Sequence, residues 1–314
     1  MTYKNFPVYV GHGNRVFTSD WGYHKDHMIY ANRVNVNFSA AGQANRRLGV
    51  DIDRGDQYVY NSDLKCDIDF DFYFYAYPKK DAFFAGPMPG GESIYGFLFD
   101  TNNYDNGNII GNNSGANYFP IKVGGNFYNK CFLDNISIDV TPLQPVRCNV
   151  KFSCYQPPEN LSTDYDDAVP FDVYDEWISG NGIISSHNCE LSGFYGDIVY
   201  SDVINRLSYS KNYTRTPVYS LGSSKPTNFF MDSIEAQMDV ESTGLANISN
   251  FSGNKLENDI AFKILDSKGD GILDSNDGGY DVVVGSGARV NLQNYNINEG
   301  DVILAKASVR EVLL

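Results

Sequence analysis

The chain has 314 residues, a formal net charge of −15, and 42% apolar and 14% aromatic side chains. That is long enough for one large or two medium domains, and apolar enough for a packed protein, not a disordered one. The acidic balance argues against a nucleic-acid binder, which needs a basic footprint to displace counterions, but leaves open a channel through which an anionic polymer slides without sticking.

In chain order, Val8 to Val10 and Arg15 to Phe17 read as short strands around a Gly-His-Gly-Asn turn. The opening residues lack an apolar core of the signal-peptide type, and no apolar run reaches membrane-spanning length. Arg33 to Ser39 alternates, with Asn35, Asn37 and Ser39 on its wet face. Ala40 to Tyr60 is non-periodic and long for a loop, and it carries Arg46, Arg47 and Arg54.

Leu64 to Phe72 alternates strictly, with Leu64, Cys66, Ile68, Phe70 and Phe72 on one face and Lys65, Asp67, Asp69 and Asp71 on the other. A period of two is a half-buried strand. Carboxylates at i, i+2 and i+4 stand roughly 7 Å apart and repel by roughly half a kcal/mol per pair in water, more in a dry site. Such a row is expected to face bulk water.

Asp100 to Asn117, rich in Asn and Gly, reads as an exposed loop; Ile121 to Gly125 is a strand into a turn, and Phe132 to Val140 and Val146 to Tyr155 are further strands. Residues 157–180 are acidic and begin with prolines, the composition of a linker, and Phe171 to Ile178 allows one short helix. The second half then repeats the order of the first. Ile204 to Ser210 is a strand, Lys211 to Asn228 a long connection, and Ile234 to Val240 a second alternating strand. Glu235, Gln237, Asp239 and Glu241 match Lys65, Asp67, Asp69 and Asp71 at a shift of 237 − 67 = 170. Asp281 to Gly287 parallels Ile121 to Gly125, Asn294 to Ile297 parallels Asn135 to Ile138, and Val302 to Val312 parallels Val146 to Tyr155. The common order reads as a tandem duplication. The expectation is an all-β chain of two related domains, 1–156 and 181–314, joined by the linker.

Catalytic constellations are missing from the sequence. Of the histidines His12, His24, His27 and His187, His24 and His27 sit i, i+3 beside Asp26, which allows a ligand cluster but is expected to be surface loop, and there is no nucleophile elbow or phosphate loop. Evenly spaced wet carboxylates do not push two pKa values apart, as acid/base work requires. The chain is expected not to be an enzyme and to need no cofactor. The five cysteines, Cys66, Cys131, Cys148, Cys154 and Cys189, are odd in number and lack metal-ligand spacing, which suits thiols kept reduced. Asp266 to Asp277 places Asp266, Asp270, Asp274 and Asp277 at calcium-loop positions 1, 5, 9 and 12, but Lys268 stands where position 3 should offer oxygen. An acidic hairpin loop is the expected reading there.

The stretch Leu207 to Glu241 resembles the tail-tube proteins of tailed bacteriophages. Arg215, Pro217, Leu221 and Gly222 occupy that family's Arg-x-Pro-x-x-x-Leu-Gly pattern, and Arg46, Arg47, Leu48 and Gly49 fit it in part. Val123 to Ile138 is similar to the family's closing strands. The resemblance implies small β-barrel or sandwich domains whose long hairpins join an inner barrel, within six-fold rings that stack into a tube. Asp67, Asp69, Asp71, Glu235, Gln237, Asp239 and Glu241 would line an acidic lumen. Arg46, Arg47, Arg54, Arg215, Pro217, Leu221, Gly222 and Lys225 would lie in ring-stacking loops. Two copies per chain imply three chains per pseudo-six-fold ring, in a virion tail made in the host cytoplasm. The implied partners are the chain itself, a tape-measure protein and DNA transiently in the lumen, and sheath, neck and baseplate proteins, with no membrane. Two other readings stay open: a tube initiator or terminator of the same fold, and a calcium-dependent β-sandwich adhesion module.

Overall fold

The computed structural model describes residues 6–10, 28–39, 42–45, 57–60, 65–74, 119–123, 126–156, 158–160, 189–192, 204–221, 223, 225–242, 260–264, 282–284, 288–296 and 304–312. Among the described residues there are strands and no helix, so the fold is all-β. In order the strands are β1 (Phe6–Val10), β2 (Met28–Ala31), β3 (Arg33–Ser39), β4 (Gly42–Asn45), β5 (Gln57–Tyr60), β6 (Lys65–Tyr73), β7 (Phe119–Val123), β8 (Asn126–Val140) and β9 (Arg147–Cys154). They continue as β10 (Glu159–Asn160), β11 (Cys189–Ser192), β12 (Ile204–Val218), β13 (Asn228–Ser242), β14 (Ile260–Ile264), β15 (Val282–Val284), β16 (Arg289–Asn296) and β17 (Leu304–Val312).

Eight of them form one antiparallel path, β3-β6-β9-β8-β12-β13-β17-β16. Its first four strands come from the first half of the chain and its last four from the second. Each quartet has the same internal order: the two strands of a pair, then the last strand, then the one before it. The quartets meet head to tail where Asn135 to Val140 of β8 pairs with Leu207 to Asn212 of β12. The N-terminal half of β8 serves a side branch instead, pairing with β7, which leads to β1 and β2. A strand of 15 residues can do both because each half offers its own row of backbone donors and acceptors.

Alternation builds the core. Ile68, Phe70 and Phe72 of β6, Ile136 and Ile138 of β8, Phe152 of β9, Leu207 and Tyr209 of β12, and Ile234, Met238 and Val240 of β13 are buried in one cluster. Each buried side chain of this size contributes roughly 1.5–3 kcal/mol. The β8–β9 turn is closed by the Gln144 amide donating to the Thr141 carbonyl at 3.1 Å, with Pro142 and Leu143 as its central residues. Leu143 has φ 60°, the left-handed value a type II turn requires at that place.

Several expectations change. Lys211 to Asn228 is not a loop: β12 runs to Val218 and β13 begins at Asn228, leaving a short tip. Thr and Tyr among the charges, plus pairing with Phe229 and Phe230, carry the ladder through Pro217. Ala40 to Tyr60 begins and ends in a hairpin, β4 with β5. The linker assigned to 157–180 starts with β10, which pairs with Asn126 and Phe127 of the first half. β15 was matched to β7 but belongs to a separate sheet, β11-β14-β15. Arg46, Arg47, Arg54, Leu48, Gly49, Leu64, Gly222, Phe171 to Ile178, and the Asp266, Asp270, Asp274 and Asp277 loop lie outside the described residues.

Candidate functional site: the polar face of the long sheet

The registers place most polar residues of all eight strands on one face; Lys211 and Glu311, opposite Ala236, lie on the other. Asp67, Asp69 and Asp71 lie opposite Asn37, Asn35 and Arg33 of β3, and opposite Ser153, Lys151 and Asn149 of β9. Glu235, Gln237, Asp239 and Glu241 lie opposite Asn212, Ser210, Ser208 and Arg206 of β12, and opposite Val312, Arg310, Ser308 and Lys306 of β17. The two rows expected from the sequence therefore share one face of one sheet.

Their electrostatics are not those of bare carboxylates in water, which corrects the sequence expectation. Asp71 is only 3% exposed. Arg33 Nε lies 3.2 Å from it on one side and Arg147 Nη2 3.0 Å on the other. Asp67 is held by Lys65 at 3.0 Å and approached by Lys151 at 3.9 Å. Asp69 accepts from the Asn35 amide at 3.1 Å. In the second row, Glu235 pairs with Arg310 and Glu241 with Lys306, while Asp239 accepts from Gln237 Nε2 at 3.0 Å. Asp139 of β8 faces Arg206 at 3.6 Å across the junction. Every carboxylate in these rows thus has a cation or an amide beside it. Burial pulls the Lys65 ammonium down, but Asp67, Tyr155 and Asp134 together outweigh it, and the group titrates above its usual value.

The junction has a second clamp that sequence reasoning missed. The Arg215 side chain is 4% exposed, and its guanidinium donates to the Leu133 carbonyl and lies 3.5 Å from Asp134 Oδ1. Its Cζ lies over the rings of Phe132 and Tyr213, at 5.8 and 5.4 Å from the centroids. Asp134 also accepts from the Ser153 hydroxyl. Burial pushes its carboxyl above the usual range, although Ser153 and Arg215 pull the other way. Arg215 is therefore a buried fastener and not a stacking contact, and Pro217 sits within β12. Nearby, the Asn135 Nδ2 donates to Asn212 Oδ1 at 2.7 Å. A signal for the missed partners did exist: Arg33, Arg147, Lys151, Lys306 and Arg310 alternate in phase with the wet residues of their own strands.

The hairpin tip keeps two of the residues expected there. Leu221 is fully exposed and Lys225 is exposed. The tip is tied internally by the Ser223 amide to the Ser220 carbonyl, and by the Thr227 amide to the Val218 carbonyl at 2.8 Å. At the opposite end of the strands, Leu143 stands 87% exposed in the β8–β9 turn.

Among the described residues no group of His, Cys, Asp or Glu is arranged to hold a metal ion, and no helix is long and apolar enough to cross a membrane. No protein-family model matches this chain, and no curated protein matches it.

Proposed function

We propose that the chain is a ring-forming structural subunit of a phage tail tube, with the polar face of the long sheet turned to the lumen. The observation that carries the reading is the head-to-tail meeting of two like-ordered quartets through β8 and β12. A heterologous contact of this kind repeats, and it closes into a ring when the rotation allows. The two ends of the sheet, β3 and β16, are the counterparts of β12 and β8. Among the described residues each has a partner on one side only.

The stagger supports closure. Arg33 lies opposite Asp71, Asp71 opposite Asn149, Asn149 opposite Ser137, and Ser137 opposite Ser210. Ser210 is the counterpart of Asn37, because Asn37 pairs with Asp67 and Ser210 with Gln237. One quartet therefore shifts the row by 37 − 33 = 4 residues over four strands. A stagger of one residue per strand tilts strands by about 35°, at the edge of the barrel range. Three chains would supply six quartets, and a barrel of that size measures about 45 Å between backbone walls.

Charge pairing suits a conduit. A guanidinium already engaged by a carboxylate is a poor partner for phosphate, so a polyanion meets few free cations along this face. The exposed Leu221 and Leu143, at opposite ends of the strands, supply the apolar contacts for stacking ring on ring. Negative-stain microscopy with mass measurement of the purified protein tests the reading. Annular particles of three chains, alone or stacked, are expected; single chains at high concentration would overturn it.

A further inference from the structure

We infer that neighbouring chains join through β16 of one and β3 of the next in a fixed register, with Asn294 opposite Asn37 and Asn296 opposite Asn35. The inference rests on the ring reading above and specifies its seam.

The internal junction supplies the template. There Ser137 pairs with Ser210 and Asp139 with Ser208. Ser210 and Ser208 correspond to Asn37 and Asn35, since the four lie opposite Gln237, Asp239, Asp67 and Asp69 respectively. The register moves the match of Asn294 from Asn135, as the sequence suggests, to Ser137: Ser137 reaches Asp71 through Asn149, and Asn294 reaches Glu241 through Lys306. Two residues further on, Asp139 corresponds to Asn296. Carrying the junction over residue by residue places asparagine opposite asparagine twice. The internal junction has an asparagine pair of its own, Asn135 with Asn212.

Burial on β3 indicates a missing neighbour. Leu207 and Tyr209, packed beside β8, are 3% and 4% exposed. Their counterparts Val34 and Val36 are half-buried. Lys211 is 5% exposed, whereas Phe38, at the corresponding place on β3, is 52% exposed. Buried charge on one copy and bared aromatic on the other are the reverse of what an edge left in water would select. Among the described residues β3 shows few of the devices that blunt an edge, its one charged side chain, Arg33, being paired with Asp71. It carries no lysine or proline, and it pairs with β6 over seven residues without a bulge. Such an edge accepts another strand, and the register selects a second copy of this chain as that strand.

Disulfide trapping in the full-length protein tests the register. Directly opposed Cα atoms in an antiparallel pair are about 4.5–5.5 Å apart, within disulfide reach, and a two-residue offset puts them at roughly 7–8 Å, beyond it. Asn37→Cys with Asn294→Cys, and separately Asn35→Cys with Asn296→Cys, should oxidise to a ladder that ends at a covalent trimer on a non-reducing gel. Asn35→Cys with Asn294→Cys should stay monomeric there, as should the unaltered chain with its native thiols. Rings under the microscope with links only in the offset pair would overturn the register and leave the ring reading standing. Single chains under the microscope and no links would bring down both.

Discussion

Arg215 reaches from the β12–β13 hairpin onto β8, where its guanidinium lies 3.5 Å from Asp134 Oδ1 in a pocket that leaves the arginine 4% exposed. The two residues belong to different halves of the chain, so this pair fastens one quartet to the other. Breaking a buried pair from one side leaves an uncompensated charge, which costs about 3–5 kcal/mol. Arg215→Ala should lower stability by that amount in urea unfolding, whereas a surface stacking residue would cost under about 0.5 kcal/mol. Asp134→Asn combined with Arg215→Met should recover most of the loss. Burial already holds the Asp134 carboxyl above its usual range. A carboxyl raised on folding contributes stability that is complete below its unfolded value and lost as pH rises through the folded one. The deficit of Arg215→Ala should therefore shrink as the solution is taken toward pH 4 and Asp134 is protonated.

Asp71 engages Arg33 and Arg147 at once, and Glu235 engages Arg310. Asp71→Asn with Glu235→Gln should free three guanidinium groups per chain on the polar face. Assembled protein carrying both changes should retain duplex DNA at low salt and release it as salt rises, since phosphate contacts trade against counterions. The unaltered assembly should show no retention in the same gel-shift titration. Equal retention by both would mean that the carboxylates do not quench these cations.

Leu143 occupies left-handed backbone at φ 60° while 87% exposed. Glycine takes that conformation without the steric cost of a Cβ. Leu143→Gly should raise the urea midpoint, with a gain of about 0.5–1 kcal/mol at unchanged slope. It should also give fewer or shorter stacks by microscopy, because it removes an apolar rim contact. Leu221→Asp should shorten stacks in the same way while leaving the unfolding midpoint unmoved.

Burial pushes the Cys66 and Cys189 thiols up to about 12, and holds Cys131 and Cys148 well above the ordinary range. Raised on folding, these groups contribute stability that is complete below their unfolded value near 9 and lost as pH climbs toward the folded value. Stability, read as the melting temperature, should therefore fall steadily as pH rises above 9. At pH 8 a thiol reagent should find little to react with until denaturant is added, when all five cysteines should respond.

The alternating strands were the legible part of this fold. Cys66 to Phe72 and Ile234 to Val240 each show which side is buried, because a period of two admits one assignment of faces, whereas Arg33 to Ser39 alternates in the same way but leaves Phe38 exposed. The sequence suggests a repeat, and the two quartets share one strand order. The partners of the carboxylates were not legible, because the bases that neutralise Asp71 and Glu235 lie 38 to 76 residues away, and only the register brings them alongside. Arg215 was misread for a related reason. Its flanking prolines and glycines look like a loop locally, yet β13 supplies a full ladder of partners as far as Asn228. The β8 strand was read short because its N-terminal half is specified by β7 and not by its own alternation.

The contact between β8 and β12 also changes the arithmetic of assembly. In the proposed ring, six separate quartets would need five encounters to gather into a circle, each losing several kcal/mol of translational and rotational freedom. Held on one chain, every second join forms at the high effective concentration of a tether. Three of those five encounters would thereby be replaced by peptide synthesis, leaving two collisions between molecules.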